Sequence, residues 1–454
     1  MVEESQTTQQ DDEPACLPDL INSPSVTIEP AWAVWASALS SIRSSAARDD
    51  LGLETDRPIV MSGHQPIVFH NGILAKLIAL DEASKRADAQ AVWIIPDQDA
   101  VDPGVIRVPT GSRESLSVDL VELLSTGSVP AGVSAGSINA QNIREPNDES
   151  LKGLAQWLDQ YAGMETLAGQ FGYATIEHAS EVLGIEPPRI IFASELFDSD
   201  TMFAAVESMR SDPKRCAQSY NNAVAQYPDA GVRALNIEDG RIELPLWGCR
   251  DGEQRVAIDT DNIGSFSRDE LMPRGLMMTA LVRAYLADLF IHGTGGDVYD
   301  QISQDWFRDW LDIELQPKAM VTATQHLDLG FSAQEKADFK DAHAAKWQLH
   351  HARHTPVMVG DHNAQKRKDE LVAQIKQLAS KDPQRDVLYR QLQQLLESYR
   401  DEHQTQIAAY GLRVERSIEL AKQYELASDR TWAWVFFEQE ALQRLDRATR
   451  AAMS

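Results

Sequence analysis

The densest cluster of chemistry-bearing side chains is Ser62-Gly-His-Gln-Pro-Ile-Val-Phe-His-Asn-Gly-Ile-Leu-Ala-Lys76. His64 and His70 can donate to a phosphate or carboxylate, and Gln65 and Asn71 stand among them. Gly63 and Gly72 let backbone come close to a ligand. Lys76, one turn into the helix that follows, can turn back toward the same anion, and the start of that helix supplies unpaired N–H groups. A lone histidine in such a turn is usually structural. Two histidines, a glutamine and two glycines in ten residues argue for a site.

A second cluster is Trp93-Ile-Ile-Pro-Asp-Gln-Asp-Ala-Val-Asp102. Close carboxylates such as Asp97, Asp99 and Asp102 can bind an amine, orient a sugar hydroxyl, hold Mg²⁺ or act as a base. Read alone, the stretch is a solvated loop with helix-capping aspartates; beside the histidine cluster it becomes part of a site. The third cluster pairs Arg274, just ahead of a helix, with Ile291-His-Gly-Thr-Gly-Gly-Asp-Val-Tyr299. Backbone N–H groups of such a loop, from His292 and Gly293 onward, can cradle an anion. No lysine follows the glycines, which excludes a P-loop. His350, His351 and His354 lack the acid of a HExxH motif and read as a solvated helix, so no metal is expected. Cys216 follows Lys214 and Arg215, cations that lower a thiol pKa, but no partner base accompanies it.

These clusters must be positioned by an α/β sheet. Arg57–Gly63 is an apolar run ending in glycine, Ile73–Ala87 keeps one face apolar, and Ala91–Ile95 is a second strand closed by Pro96. Strand, helix and strand make a βαβ unit, whose ligands sit at the carboxyl ends of the strands. A helix is expected over Ala31–Ala47, a strand over Arg189–Ala193, a β-rich excursion over Asp239–Ile258 and a helix over Leu276–Phe290. Beyond Ser332, Leu371, Ile375, Leu378, Leu388, Leu392, Leu395 and Tyr399 recur at helical spacing around a break at Ser380–Pro383. That spacing predicts a hairpin with a coiled-coil seam, paired within the chain or across a homodimer.

The chain has 454 residues, with 42 Lys and Arg against 69 Asp and Glu, a net charge of −27. That balance argues against nucleic acid as a partner. No apolar run is long enough for a membrane span, and the start lacks a secretory pattern. Three scattered cysteines support neither disulfides nor zinc, so a cytoplasmic protein is expected.

Taken together, the motifs resemble the bacillithiol-biosynthesis cysteine-adding enzymes. Gly63-His64-Gln65 is similar to that family's Gly-Gln-Gln loop, and Asn71-Gly72-Ile73-Leu74-Ala75-Lys76 to its Gly-Pro-Leu-Tyr-x-x-x-Lys stretch. Trp93 with Asp97–Asp102 resembles its acidic loop, without the histidine. Arg274 and Gly293–Asp300 resemble its later arginine and glycine-rich element, with Asp297 and Tyr299 for the acid and aromatic. The resemblance implies a Rossmann-like nucleotidyltransferase-type parallel sheet core with an inserted segment and a C-terminal α-helical coiled-coil hairpin. It implies a ligase that joins L-cysteine to the amine of glucosaminyl-malate, a small-molecule substrate, with an adenine nucleotide as associated cofactor.

The expected organisation is an acidic disordered tail over 1–30, a core over 31–330 with its insertion near 200–265, and a helical domain over 331–454. His70, Asp99 and Asp102 are expected to be catalytic. Gly63, His64, Gln65, Asn71, Gly72, Lys76, Asp97, Arg274, His292, Gly293 and Tyr299 are expected to bind substrate. His70-Asn-Gly-Ile73 also resembles the first signature of nucleotidylyltransferases, a rival reading that asks for a second basic element late in the core. A relative without catalysis, working through the helical hairpin, is the remaining alternative.

Overall fold

The computed structural model describes residues 21–454 apart from 41, 43–44, 112–114, 239, 331–343 and 380. Its strands, in chain order, are β1 (Ser25–Glu29), β2 (Ile59–Gly63), β3 (Gln90–Ile95), β4 (Val105–Thr110), β5 (Ser117–Glu122) and β6 (Arg189–Phe192). They continue with β7 (Ile237–Glu238), β8 (Arg241–Gly248), β9 (Val256–Asp259), β10 (Leu271–Pro273), β11 (Leu289–His292) and β12 (Lys318–Thr324). The protein is a mixed α/β structure around a six-stranded sheet of order β1-β12-β11-β2-β3-β6. All neighbours in it are parallel except β1 on β12.

The central strands read as unbroken apolar runs because helices cover both faces. Ile59, Val60 and Met61 of β2 are fully buried, as is Val92 of β3. The helix Asn71–Ala87 buries Leu74, Leu77, Ile78 and Leu80, spaced three and four apart, and crosses from β2 to β3. From β2 the chain builds outward through β3 and β6, then returns to lay β11 and β12 on the other side. The crevice between β2 and β11 is therefore a topological switch point, where sheets of this kind receive ligands. Gly63 closes β2: a Cβ there would lie 2.3 Å from the Ile94 carbonyl oxygen.

Four expectations are corrected along this core. The tail expected over 1–30 contains β1, whose Val26 and Ile28 alternate with polar residues as an edge strand requires; residues 1–20 lie outside the described residues. The helix expected over Ala31–Ala47 is two short helices, Trp32–Ala38 and Ala46–Asp50. The helix expected over Leu276–Phe290 spans Gly275–Tyr285, and Leu289–His292 form β11. The expected glycine-rich loop is mostly the first turn of the helix Thr294–Leu311. The β-rich excursion is β7 to β9, with β10 pairing on β8.

The chain divides into two compact units. The sheet-bearing unit takes 19–109, 118–327 and 430–454. Its last helix, Gln439–Ala452, is fixed there by Arg450, which binds Asp81 at 2.9 Å and Glu82 at 2.5 Å. The helical stretch expected to run from 331 to the end thus stops at Asp429, because the final segment carries its own partners for the core.

Asp328–Asp429 form most of the other unit. Its helices His362–Gln377 and Pro383–Glu402 pack around Ile375, Leu392, Leu396 and Tyr399, with Leu371 and Leu388 alongside. A third helix spans Gln404–Ala427. Leu396 rather than Leu395 is the buried position of that stripe. His351 stacks on Trp347 at 3.8 Å.

Candidate functional site

A cavity of about 420 Å³ opens at the carboxyl ends of β2, β3 and β11. From β2, Gly63 leads into His64, whose N–H still bonds the Ile94 carbonyl at 3.2 Å, so strand geometry carries the imidazole to the cavity. His70 caps the helix that follows, its Nδ1 accepting the Gly72 N–H at 3.0 Å. Lys76 turns back, as its position one turn in allows, and donates to the Gly63 carbonyl at 2.5 Å beneath the Trp93 ring.

Burial sets the charge states here. Lys76 is only 4% exposed, and desolvation pushes its pKa down to about 7. His64 is pushed down to about 3, first by burial and then by the neighbouring Lys76 and His70. His64 is thus a neutral hydrogen-bonding group at neutral pH, and Lys76 shares its time between ammonium and amine.

Three helices start at the cavity. Gly72 and Ile73 belong to the first turn of a 17-residue helix, Gly275 opens one of 11 residues, and Thr294, Gly295 and Gly296 begin one of 18. The helices at Gly275 and Thr294 have no side-chain cap among the described residues and leave N–H groups open, whereas His70 already takes the Gly72 N–H of the first; each N-terminus carries about half a positive charge. Arg430 joins them from the far end of the chain, held by the Thr324 hydroxyl at 3.0 Å and the Thr322 hydroxyl at 3.1 Å. Its two partners are neutral, so its charge remains uncompensated by them. The acid at the rim, Asp99, accepts from Gln65 at 2.7 Å and lies 3.5 Å from Arg255. The cavity is therefore cationic within a chain of net charge −27.

His292 lines the cavity at the end of β11, followed by Gly293. Tyr299 stands one turn further into its helix, its phenol pKa raised by burial. Of the expected site residues, Gly63, His64, Gln65, His70, Gly72, Lys76, Asp99, His292, Gly293 and Tyr299 line this one cavity.

Four others do not, and each has a competing partner. Asp97 is buried and accepts the Ser194 N–H at 3.0 Å and the Ser194 hydroxyl at 2.6 Å; burial pushes its pKa up to about 6. Asp102 accepts the N–H groups of Gly104 at 3.0 Å and Val129 at 2.9 Å and so braces the loop away from the cavity. Arg274 turns to Glu243 at 2.8 Å and lies over the Trp247 ring, leaving only its successor Gly275 at the cavity. Asn71 donates to Gln325 at 2.8 Å. Cys216 is also corrected: burial pushes its thiol pKa up, against the lowering expected from Lys214 and Arg215.

Sequence reasoning missed Gln98, Thr279, Thr322 and Arg430, which also line the cavity. Gln98 lies inside the acidic loop already singled out, and its buried Oε1 has no partner among the described residues. Thr279 sits one turn into the helix that Arg274 announces. Arg430 carries no local signal, since nothing around it in sequence belongs to the other clusters. No protein-family model matches this chain, and no curated protein matches it.

Proposed function

We propose that the protein is a ligase-like enzyme that holds the anionic end of a small substrate in the cavity at the sheet's carboxyl edge. In this reading it forms an amide between an amino acid, L-cysteine by the family resemblance, and the amine of a sugar conjugate such as glucosaminyl-malate. An adenine nucleotide supplies the activating phosphate. The observation that carries the reading is the convergence of three helix N-termini with Lys76 and Arg430 on one cavity. A phosphate or carboxylate would find there N–H donors together with the charge of Arg430 and the part-time charge of Lys76. Gln98 Oε1, an acceptor without a partner among the described residues, suits an amine or hydroxyl on the same ligand.

The strand order β12-β11-β2-β3-β6 supports the Rossmann-like form of the core, and the packed pair of helices supports the coiled-coil hairpin. Leu392 and Leu396 are buried within one chain, which favours an intramolecular seam over a homodimer. The second reading, nucleotidylyl transfer, gains one observation: Arg430 is a basic residue that joins the site late in the chain.

Thermal denaturation with ATP, ADP, L-cysteine or glucosaminyl-malate tests the binding claim. A ligand at 100 times its dissociation constant stabilises by about 2.7 kcal/mol. Stabilisation by the sugar conjugate and a nucleotide is expected, and no response to any anion overturns the reading. Mass analysis of products separates the reactions, since amide formation consumes cysteine and nucleotidylyl transfer releases pyrophosphate with a nucleotide-bearing product.

A further inference from the structure

We propose that His292 and Asp300 form a proton-accepting dyad, with the imidazole at the cavity as the base and the carboxylate behind it as the positioning residue. The identity of the proton's donor rests on the amide-forming reading; the dyad does not. Asp300 lies two turns into the helix that begins beside His292, so its carboxylate returns toward the strand end. Its Oδ2 stands 3.2 Å from His292 Nε2. Both side chains are buried, His292 at 4% exposure and Asp300 at none. Neither His292 Nε2 nor Asp300 Oδ1 has a hydrogen-bond partner among the described residues, so the contact is close but not aligned. Such contacts often tighten only when substrate is bound.

Elements around the dyad restrict its motion. A Cβ on Gly296 would lie 2.4 Å from His292 Nδ1, so only glycine leaves room for this ring beside the helix start. Phe290 packs against the same ring at 4.6 Å. Arg283 from the preceding helix binds Asp300 Oδ2 and is itself anchored to the Gln316 carbonyl at 2.7 Å and Gln304 at 3.0 Å. The charged groups acting on His292 are thus Asp300, Lys76 and Arg283. Burial is the largest influence and lowers its pKa, while Asp300 opposes that shift. The neutral ring, the form able to take a proton, is the one favoured at neutral pH.

With Nε2 carrying its hydrogen toward Asp300, Nδ1 presents its lone pair beside Gly296 at the cavity. In the amide-forming step, the acceptor nitrogen attacks the acyl carbon of a mixed carboxylic–phosphoric anhydride. The C–N bond forms, the C–O bond to phosphate breaks, and its electron pair leaves with the phosphate. The proton lost by the nitrogen passes to Nδ1, and the Asp300 carboxylate stabilises the imidazolium. This is the division of labour between an oriented histidine and a buried acid seen in other proton relays.

The full chain labelled with ¹⁵N-histidine tests the dyad without any substrate. The His292 resonances, assigned by their loss in His292→Gln, are expected to show the proton on Nε2. Asp300→Asn is expected to shift the tautomer population or lower the imidazole pKa. A wild-type ring protonated on Nδ1 overturns the proposal, as does a folded Asp300→Asn protein with unchanged His292 resonances. If Asp300→Asn does not fold, the wild-type tautomer still decides. Turnover of ATP, L-cysteine and glucosaminyl-malate gives the second readout. His292→Gln should lower kcat at least 100-fold with little change in KM, and an undiminished kcat overturns the proposal. A wild-type protein that shows the expected tautomer but does not turn these substrates over refutes the amide-forming reading and leaves the dyad standing.

Discussion

Two loops leave adjacent strands at the same edge of the sheet and meet different fates. The segment after β2, from Gly63 to Lys76, delivers most of its polar side chains to the cavity. The segment after β3, from Asp97 to Asp102, sends only Gln98 and Asp99 there. The difference lies in what each residue type can bind close to home. A carboxylate accepts any nearby N–H, and Asp97 and Asp102 find theirs at Ser194, Gly104 and Val129. A cation needs acceptors, and among the described residues Lys76 finds one carbonyl, Gly63 at the end of the strand before its helix, which leaves it facing the cavity. Acid-rich loops after strands are thus more easily consumed as bracing than basic ones.

The largest effect that sharpens this contrast is expected from Asp97→Ala. Its loss leaves two half-buried donors on Ser194 unpaired, and a stability loss of about 1–3 kcal/mol is expected, read as a lower Tm. Ligand binding should survive in the protein that remains folded. The milder Asp97→Asn exposes a pH signature. The native carboxyl titrates near 6 and the unfolded one near 3.8, so the native state holds the extra proton between those values. Stability contributed by this group therefore falls as pH rises through that window, and Asp97→Asn should remove the fall.

Lys76→Met should do the reverse: weaken ADP or sugar-conjugate binding by about 10- to 100-fold, as expected for losing a charge-assisted hydrogen bond of about 1.5–3 kcal/mol, while the fold holds. The native ammonium titrates near 7 and the unfolded one near 10.5. Between these values the unfolded state binds more protons, so stability contributed by Lys76 rises with pH. Denaturant melts across that range should lose the rise in Lys76→Met. Unaltered binding in this variant would end the claim that the basic loop faces the ligand.

Smaller effects are expected at the two ends of the comparison. Arg430→Gln should weaken anion binding by about tenfold, roughly 1.4 kcal/mol, and calorimetric titration checks it. Asp102→Ala should cost about 1 kcal/mol of stability, as for losing a capping carboxylate, with binding constants unchanged. A binding defect from Asp102→Ala would return that residue to the site and blur the distinction between the loops.

The βαβ start of the core was legible because its signals are local: apolar runs in β2 and β3 and a one-faced helix between them. β1 was hidden in plain alternation, since five residues with Val26 and Ile28 inward are outweighed by the acidic composition around them. Leu289 and Phe290 could extend a helix or start a strand, and only pairing between β2 and β12 decides for the strand. At the site, the histidines and Lys76 were legible from density in one loop. The withdrawal of Asp97, Asp102 and Arg274 was not, because Ser194, Val129 and Glu243 are remote in sequence. Asp300 was similarly hidden: a single acid on a helix acquires meaning only from the strand end it returns to.

Arg430 has a bearing on how the protein is made. β2, β3, β11 and β12 all precede the helical excursion, whereas Arg430 comes after it, as does the helix whose Arg450 grips Asp81 and Glu82. A nascent chain can therefore assemble the strand edge, with Lys76 already buried, before its last cation emerges. Roughly 5–20 s separate the two at about 5–20 residues synthesised per second. During that interval the nascent cavity lacks the charge of Arg430, so on the anion-binding proposal the growing chain holds small anions more weakly than the finished protein.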